Sequence, residues 1–232
     1  MSSQGITAIL LNGGFGTRSG ANKPKQFLNL NGIPILAYNL LAMQKVDAIE
    51  KIIINYPDGS LDKVREIVTD YAITKPVQFV EAGDTRHASV ALMLEHVTTP
   101  RVIINEAARP FVSPEDFQLL IDCPSKNVSL TLPIPFTVAP VEPATGKITG
   151  SLERDKLRNI QLPQKFETSD LRAAHDYAKQ NSIVFTEDAT LVAVAGFEVA
   201  FINGPETNFK ITTPFDLKLA NYMFRKENDR DE

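Results

Sequence analysis

The sequence predicts an α/β fold, a mostly parallel twisted sheet flanked by helices. Three observations carry this expectation. Short apolar runs alternate with amphipathic stretches along most of the chain, as strands joined by crossover helices do. The runs are rich in Ile, Val and Leu without strict alternation, the pattern of strands buried on both faces. Each run ends where polar chemistry begins, as at Leu11-Asn12-Gly13 and Ile104-Asn105-Glu106.

Residues 6–11 read as the first strand, 52–55 as the second, 77–80 as the third and 101–104 as the fourth. Helical periodicity covers 34–43, 61–71 and 89–96. Ser113-Pro114-Glu115-Asp116 has the form of an N-cap followed by proline at the first helical position. Residues 127–162 break the rhythm. The stretch 128–134 is strand-like, Pro133, Pro135, Pro140 and Pro143 crowd together, and Ala144-Thr145-Gly146-Lys147 is a turn signal. An excursion from the sheet is expected there, a protruding β arm at about 133–160. Such an arm cannot bury both faces alone, so a second copy of the chain is its expected partner, giving a homodimer. Helices at 169–180 and 188–195, a strand at 199–202 and a last helix at 214–224 complete the chain, with no internal repeat.

At 232 residues, 43% hydrophobic and 22% charged, with a net charge of −4, the chain suits one domain (1–232) with the arm appended. Twelve glycines, fifteen prolines and one cysteine, Cys123, exclude collagen-like, disordered and disulfide-framework classes, and fit a reducing compartment. The longest apolar runs fall short of the ~20 residues of a membrane span, and no basic segment precedes the first of them. A soluble, cytoplasmic protein without membrane partners is expected. The absence of a Lys/Arg block argues against a nucleic-acid partner, while leaving room for local cations around a small anion.

The strongest local signal is Asn12-Gly13-Gly14-Phe15-Gly16-Thr17-Arg18, running on to Pro24-Lys25-Gln26-Phe27. Three glycines in four positions allow backbone N–H groups to approach an anion. The spacing is neither a Walker A nor a dinucleotide fingerprint, and a plain tight turn is the competing reading. Arg18 and Lys25 favour the anion, since two cations flanking the loop suit a triphosphate and the charge that develops in phosphoryl transfer. In Gly83-Asp84-Thr85-Arg86-His87-Ala88-Ser89, Asp84 and Ser89 are candidate acceptors for an exocyclic amine, the group separating cytosine from uracil; a solvated loop with a helix cap is the alternative. Asn105-Glu106-Ala107-Ala108-Arg109 reads either as a site or as a surface ion pair. Lys210 precedes a Pro-opened helix, where a solvent-facing lysine is common. His87, His96 and His175 have no metal-ligand spacing among themselves or with Cys123, and no Gly-x-Ser-x-Gly elbow is present.

Taken in order, these clusters resemble the cytidylyltransferase family that makes CDP-methylerythritol from methylerythritol 4-phosphate, together with its ribitol-5-phosphate relatives. Further motifs of the resemblance are Glu153-Arg154, Gln161-Leu162-Pro163-Gln164, Phe185-Thr186-Glu187-Asp188-Ala189 and Lys210-Ile211-Thr212-Thr213-Pro214. The resemblance implies a Rossmann-like nucleotidyltransferase fold. It also implies direct attack of a polyol phosphate on the α-phosphorus of CTP, with release of pyrophosphate and no covalent enzyme intermediate. By the same resemblance Arg18, Lys25 and Lys210 are the catalytic cations. Asn12, Gly13, Gly14, Phe15, Gly16, Gly83, Asp84, Arg86, Ser89 and Ala107 hold the nucleotide, Arg86 by supporting the cytosine-reading loop. Glu106, Arg109, Thr137, Arg154 and Thr186 meet the acceptor, with Thr137 and Arg154 donated by the arm of a partner subunit. Magnesium, bound mainly through the CTP phosphates, is the implied cofactor, with no dedicated protein metal site.

Departures from the family pattern gather on the acceptor side. Asn105-Glu106 replaces His-Asp, Leu162 replaces a threonine, and Phe136 and Ala139 replace two charged residues of the arm. A site that hydrogen-bonds a hydroxyl discriminates steeply, so these changes point to an altered acceptor. Ribitol 5-phosphate or a related pentitol phosphate ranks first, ahead of methylerythritol 4-phosphate. A catalytically degenerate CTP- or CDP-binding regulator is the alternative from another class.

Overall fold

The computed structural model describes residues 5–14 and 24–228. In chain order the elements are β1 (Ile6–Leu11), β2 (Asn29–Leu30), β3 (Ile33–Pro34), α1 (Ile35–Gln44), β4 (Ile49–Tyr56), α2 (Leu61–Asp70), β5 (Val77–Glu81), α3 (Arg86–Leu94), β6 (Arg101–Glu106) and α4 (Pro114–Asp122). There follow β7 (Val128–Pro133), β8 (Val141–Glu142), β9 (Lys147–Ile148), β10 (Arg158–Glu167), α5 (Thr168–Gln180), α6 (Asp188–Val194), β11 (Ala200–Asn203) and α7 (Pro214–Asn228).

Seven strands form the central sheet in the order β11-β7-β10-β6-β1-β4-β5. Every residue of β1 is buried, which is why its sequence is apolar throughout rather than alternating. On one face α1, α2 and α4 pack Leu36, Leu40, Val64, Ile67 and Phe117 against Ile6, Ala8, Leu10 and Ile103. On the other, α3, α5 and α6 pack Val90, Met93, Leu171 and Leu191 against Ile9, Leu11, Val102 and Ile104. Burying each such side chain contributes about 1.5–3 kcal/mol, so the two faces hold the sheet between helical layers.

β1 pairs in parallel with β4 on one side and β6 on the other. The crossovers diverge there, which opens a crevice beyond the carboxyl ends of β1 and β6, the position where open α/β sheets take ligands. Caps fix where the nearby helices begin. Thr85 Oγ1 accepts from Ala88 N at the start of α3, so that helix opens at Arg86, earlier than the periodicity suggests. Ser113 and Asp116 form a reciprocal capping box on α4, with Pro114 in the first turn.

One element departs from the sequence expectation. β10 runs antiparallel to both β6 and β7 in the heart of the sheet, so residues 158–162 belong to the sheet and not to the excursion. Its register shifts between Gln161 and Gln164, where the Leu162–Pro163 peptide is cis. The arm proper lies between β7 and β10 and carries the small β8–β9 hairpin. Phe136 (78% exposed) and Ile148 (73%) lie on its surface.

Candidate active site

Two loops meet past the carboxyl ends of β1 and β5. Past β1, Asn12 is buried, and Gln26 Nε2 donates to the carbonyls of Asn12 (2.7 Å) and Gly14 (3.0 Å), clamping the start of the glycine loop. A Cβ on Gly13 would come within 2.5 Å of the Ala82 Cβ and 2.6 Å of Asn55 Nδ2, so only glycine fits where the two loops touch. A Cβ on Gly14 would meet nothing within 4 Å. Phe15, Gly16 and Arg18 lie outside the described residues. Past β5, the backbone N–H of Gly83 donates to Ser89 Oγ (3.1 Å), and a Cβ on Gly83 would crowd the Ala88 Cβ at 2.9 Å. Ser89 therefore shapes the loop from within, while Asp84 stands exposed. Ala107 spends its N–H on the Leu11 carbonyl (2.9 Å) and its carbonyl on Asn39 Nδ2 (3.0 Å), pinning the β6 loop to β1.

The end of β6 is ionic. Glu106, at the end of β6, accepts from Arg86 Nε (3.3 Å) and forms an ion pair with Lys210 Nζ (2.8 Å), with Arg109 Nε at 4.0 Å. Arg86 also reaches Asp188 Oδ2 (2.7 Å) and Glu187 Oε2 (3.5 Å). His175 Nε2 lies 3.5 Å from the other Asp188 oxygen. Burial alone would raise the Glu106 carboxyl, but Lys210, Arg86 and Arg109 outweigh it and hold it below the usual carboxylate range. Burial likewise works against ionisation of Asp188, and Arg86 with His175 overcomes it. Glu187 is pushed up, first by burial and then by the neighbouring Glu106 and Asp188, with Arg86 opposing. Burial tends to lower Arg86, and the carboxylates Asp188, Glu187 and Glu106 together raise it.

Two expectations are corrected here. Glu106 and Arg109 are buried, at 6% and 7% exposure, which removes the surface-pair reading. Arg86 places its guanidinium on three carboxylates rather than on the loop 83–85, because those charges lie beside it, Asp188 and Glu106 among them buried.

A third stretch, at 208–213, meets Lys25 and carries Lys210. Lys25 Nζ donates to the Ile211 carbonyl (2.8 Å), next in the chain to Lys210, and Ile211 N donates to the Ala108 carbonyl (2.8 Å). Asp216 accepts from the N–H groups of Thr212 and Thr213, while Thr213 Oγ1 accepts from Asp216 N; this reciprocal cap opens α7 and sets the segment's direction. Burial would raise the Asp216 carboxyl, but the Thr213 and Thr212 amides hold it low. From below, Asn208 Nδ2 donates to the Leu162 carbonyl and Arg109 Nη1 to the Asn208 carbonyl, both at 2.8 Å.

The arm residues stand in a group of their own. Thr137 and Arg154 line a hollow of about 440 Å³ with Leu152, Glu153 and Asp155, and Arg154 Nη1 donates to the Pro135 carbonyl (3.3 Å). Within one chain they do not join Glu106 and Lys210. Thr186 is exposed, immediately before Glu187.

The chain matches the family described as 2-C-methyl-D-erythritol 4-phosphate cytidylyltransferase (IspD) over residues 6–226. A protein of that name from Bacillus thuringiensis (strain Al Hakam) is 36% identical over 217 residues, covering 92% of this chain and 95% of the relative. The crystal structure of the enzyme of the same name from Thermus thermophilus superposes with a TM-score of 0.73 at 31% identity, covering 94% of this chain and 98% of that one. The chain belongs to this cytidylyltransferase family. A crystal structure from Anaerococcus prevotii, at 24% identity and a TM-score of 0.84, covers 96% of this chain and 97% of that one and shares the fold. The nucleotidyltransferase architecture implied by the motifs is thus present, as is membership of a family of CTP-dependent transferases. Among the described residues, no helix is long and apolar enough to cross a membrane.

Against the family background, the sequence reading missed several residues that build the site. Gln26 clamps the glycine loop, Gln164 Nε2 donates to Glu187 Oε2 (3.2 Å), and Asp188 anchors Arg86. All three stand inside motifs quoted for the resemblance, but with no role assigned, since a polar residue at a helix start or strand edge is explained equally well by capping. Leu162 needs a correction too. Its side chain is fully buried in the core with Phe166 and Leu171, so the loss of a hydroxyl at this position does not face the crevice. Among the described residues no group of three or more His, Cys, Asp or Glu could hold a metal ion, and the carboxylates of the cluster are each engaged by cations. The described residues therefore do not form a magnesium cage.

Proposed function

We propose that this chain transfers the cytidylyl group of CTP to 2-C-methyl-D-erythritol 4-phosphate, giving the CDP-polyol and pyrophosphate. The carrying observation is the delivery of Lys25 and Lys210 onto one short backbone segment beside Glu106 at the sheet's crevice. An oxygen of the acceptor's phosphate attacks the α-phosphorus in line, its new P–O bond forming as the bond to the pyrophosphate oxygen breaks. The attacking oxygen is already anionic, so no protein base is required. In this reading Lys25 and Lys210 supply two ammonium groups that lower the cost of charge building on phosphorus and leaving group. Arg18 is the third cation of this proposal, and Glu106 and Arg109 orient the acceptor. Magnesium would travel with the triphosphate oxygens, where it supplies charge neutralisation.

The acceptor ranking reverses relative to the sequence expectation. The relatives reported above carry the methylerythritol name, and the burial of Leu162 removes one of the departures that pointed to another acceptor. A second copy gripping the arm would cover Phe136, Val141 and Ile148 and bring Thr137 and Arg154 to the neighbouring crevice; we propose this dimer as the active form. The test is pyrophosphate release from CTP with methylerythritol 4-phosphate and ribitol 5-phosphate side by side, with product masses. Preference for ribitol 5-phosphate overturns the acceptor assignment. Tight CTP binding with no transfer to either identifies a regulator instead.

A further inference from the structure

The Arg86 guanidinium spends each nitrogen on a different carboxylate: Nη1 on Asp188, Nε on Glu106 and Nη2 on Glu187. Asp188, 1% exposed and approached from its other oxygen by His175, is a fixed anchor. Glu187 is braced by Gln164 from β10. Glu106 differs from both, since it stands at the strand end that borders the crevice and gives its second oxygen to Lys210. A planar fork with donors in fixed directions is the side chain best able to turn one anchored charge into a defined orientation for another. The chain His175–Asp188–Arg86–Glu106–Lys210 thus runs from the core to the reacting region.

We infer that Arg86 is a positioning residue for the acceptor: it holds the Glu106 carboxylate in one rotamer, oriented against Lys210, and thereby sets acceptor affinity, although in sequence it adjoins the nucleotide loop. This rests on the reading of Glu106 as an acceptor contact. Among the described residues the Arg86 head group bonds to these carboxylates and not to the loop 83–85, where Gly83 N donates to Ser89 Oγ and Thr85 Oγ1 caps α3.

The test is steady-state kinetics of Arg86→Lys, alone and with Glu106→Gln, varying CTP and acceptor separately. Lysine keeps the charge and loses the fork. The acceptor KM should rise about tenfold, the effect of roughly 1.4 kcal/mol at 25 °C, with the CTP KM moving less than about twofold. In the Glu106→Gln background the same change should add less than about twofold, since coupled residues are not additive. A rise in CTP KM with the acceptor KM unmoved overturns the inference, as does full multiplication of the two single effects, which is what a merely structural arginine gives. Calorimetric CTP binding shows whether the variant is folded. Should it not fold, Glu187→Gln takes its place. Loosening one of the three holds should raise the acceptor KM by about two- to threefold without moving that for CTP, and a change confined to CTP again refutes the inference. A wild-type chain that makes no CDP-polyol at all brings down the underlying reading; one that turns over while Arg86→Lys disturbs only CTP brings down this inference alone.

Discussion

The two sides of the crevice are built from different materials. The loops past β1 and β5, read as the nucleotide side in the proposed function, are backbone and neutral amide: Gly13 and Gly83 in tight contact with their neighbours, Gln26 across the loop carbonyls, Ser89 bonded to Gly83. The end of β6, read there as the acceptor side, is a buried lattice of charge in which Glu106, Glu187 and Asp188 meet Arg86, Arg109 and Lys210. A nucleotide base is recognised by shape and hydrogen-bond direction, which rigid backbone supplies. A phosphorylated polyol is recognised through charge and hydroxyls, where orientation of a few ionic groups decides the fit. Damage on one side should therefore leave the other side's substrate largely untouched, and four variants probe that division.

Asp188→Asn should have the largest effect, because it removes the buried anchor and leaves Arg86 with fewer partners. Breaking such a pair costs about 3–5 kcal/mol, measurable by urea denaturation. The folded-state carboxyls of Asp188 and Glu106 lie below their ordinary values, so the stability they add is complete above the ordinary carboxylate pKa of about 4 and is lost as pH falls through their depressed folded values. Glu187, raised in the fold, acts in the opposite sense and offsets part of this gain at neutral pH. The variant should accordingly show a shallower acid limb than the wild type between about pH 5 and pH 2.

Lys25→Ala comes next. It should lower kcat by about 10²–10³, the usual consequence of losing one group that stabilises transition-state charge, with CTP KM changed only a few-fold. Loss confined to CTP affinity would move Lys25 from chemistry to binding. Gly83→Ala should raise CTP KM about tenfold, since inserting a methyl against Ala88 costs roughly 1–3 kcal/mol, and it should spare acceptor KM. An equal rise for both substrates would show that the two sides are mechanically joined. Leu162→Thr should be the mildest for function. It weakens the core, yet the ratio of acceptor efficiencies should stay within about twofold because the side chain does not reach the crevice.

Legibility followed the range of the interactions. β1 and the α4 cap were readable because apolar content and the Ser113-Pro114-Asp116 spacing act within a few residues. β10 was not, since Pro163 interrupts it and its polar Gln161 and Gln164 find their partners in distant segments, the Asn208 carbonyl and Glu187. The same distinction separates Gly83, whose crowding is local, from Arg86, whose partners lie 20, 101 and 102 positions away. Motif resemblance marked Arg86 as part of the site, but only the fold shows that its guanidinium meets Glu106, Glu187 and Asp188.

β10 has a mechanical meaning of its own. It leaves the arm at Arg158 and reaches Gln164 about 20 Å further on, at roughly 3.3 Å per residue. The strand that enters the sheet from the arm is thus the one whose Gln164 braces Glu187, so arm and carboxylate cluster share one continuous piece of main chain.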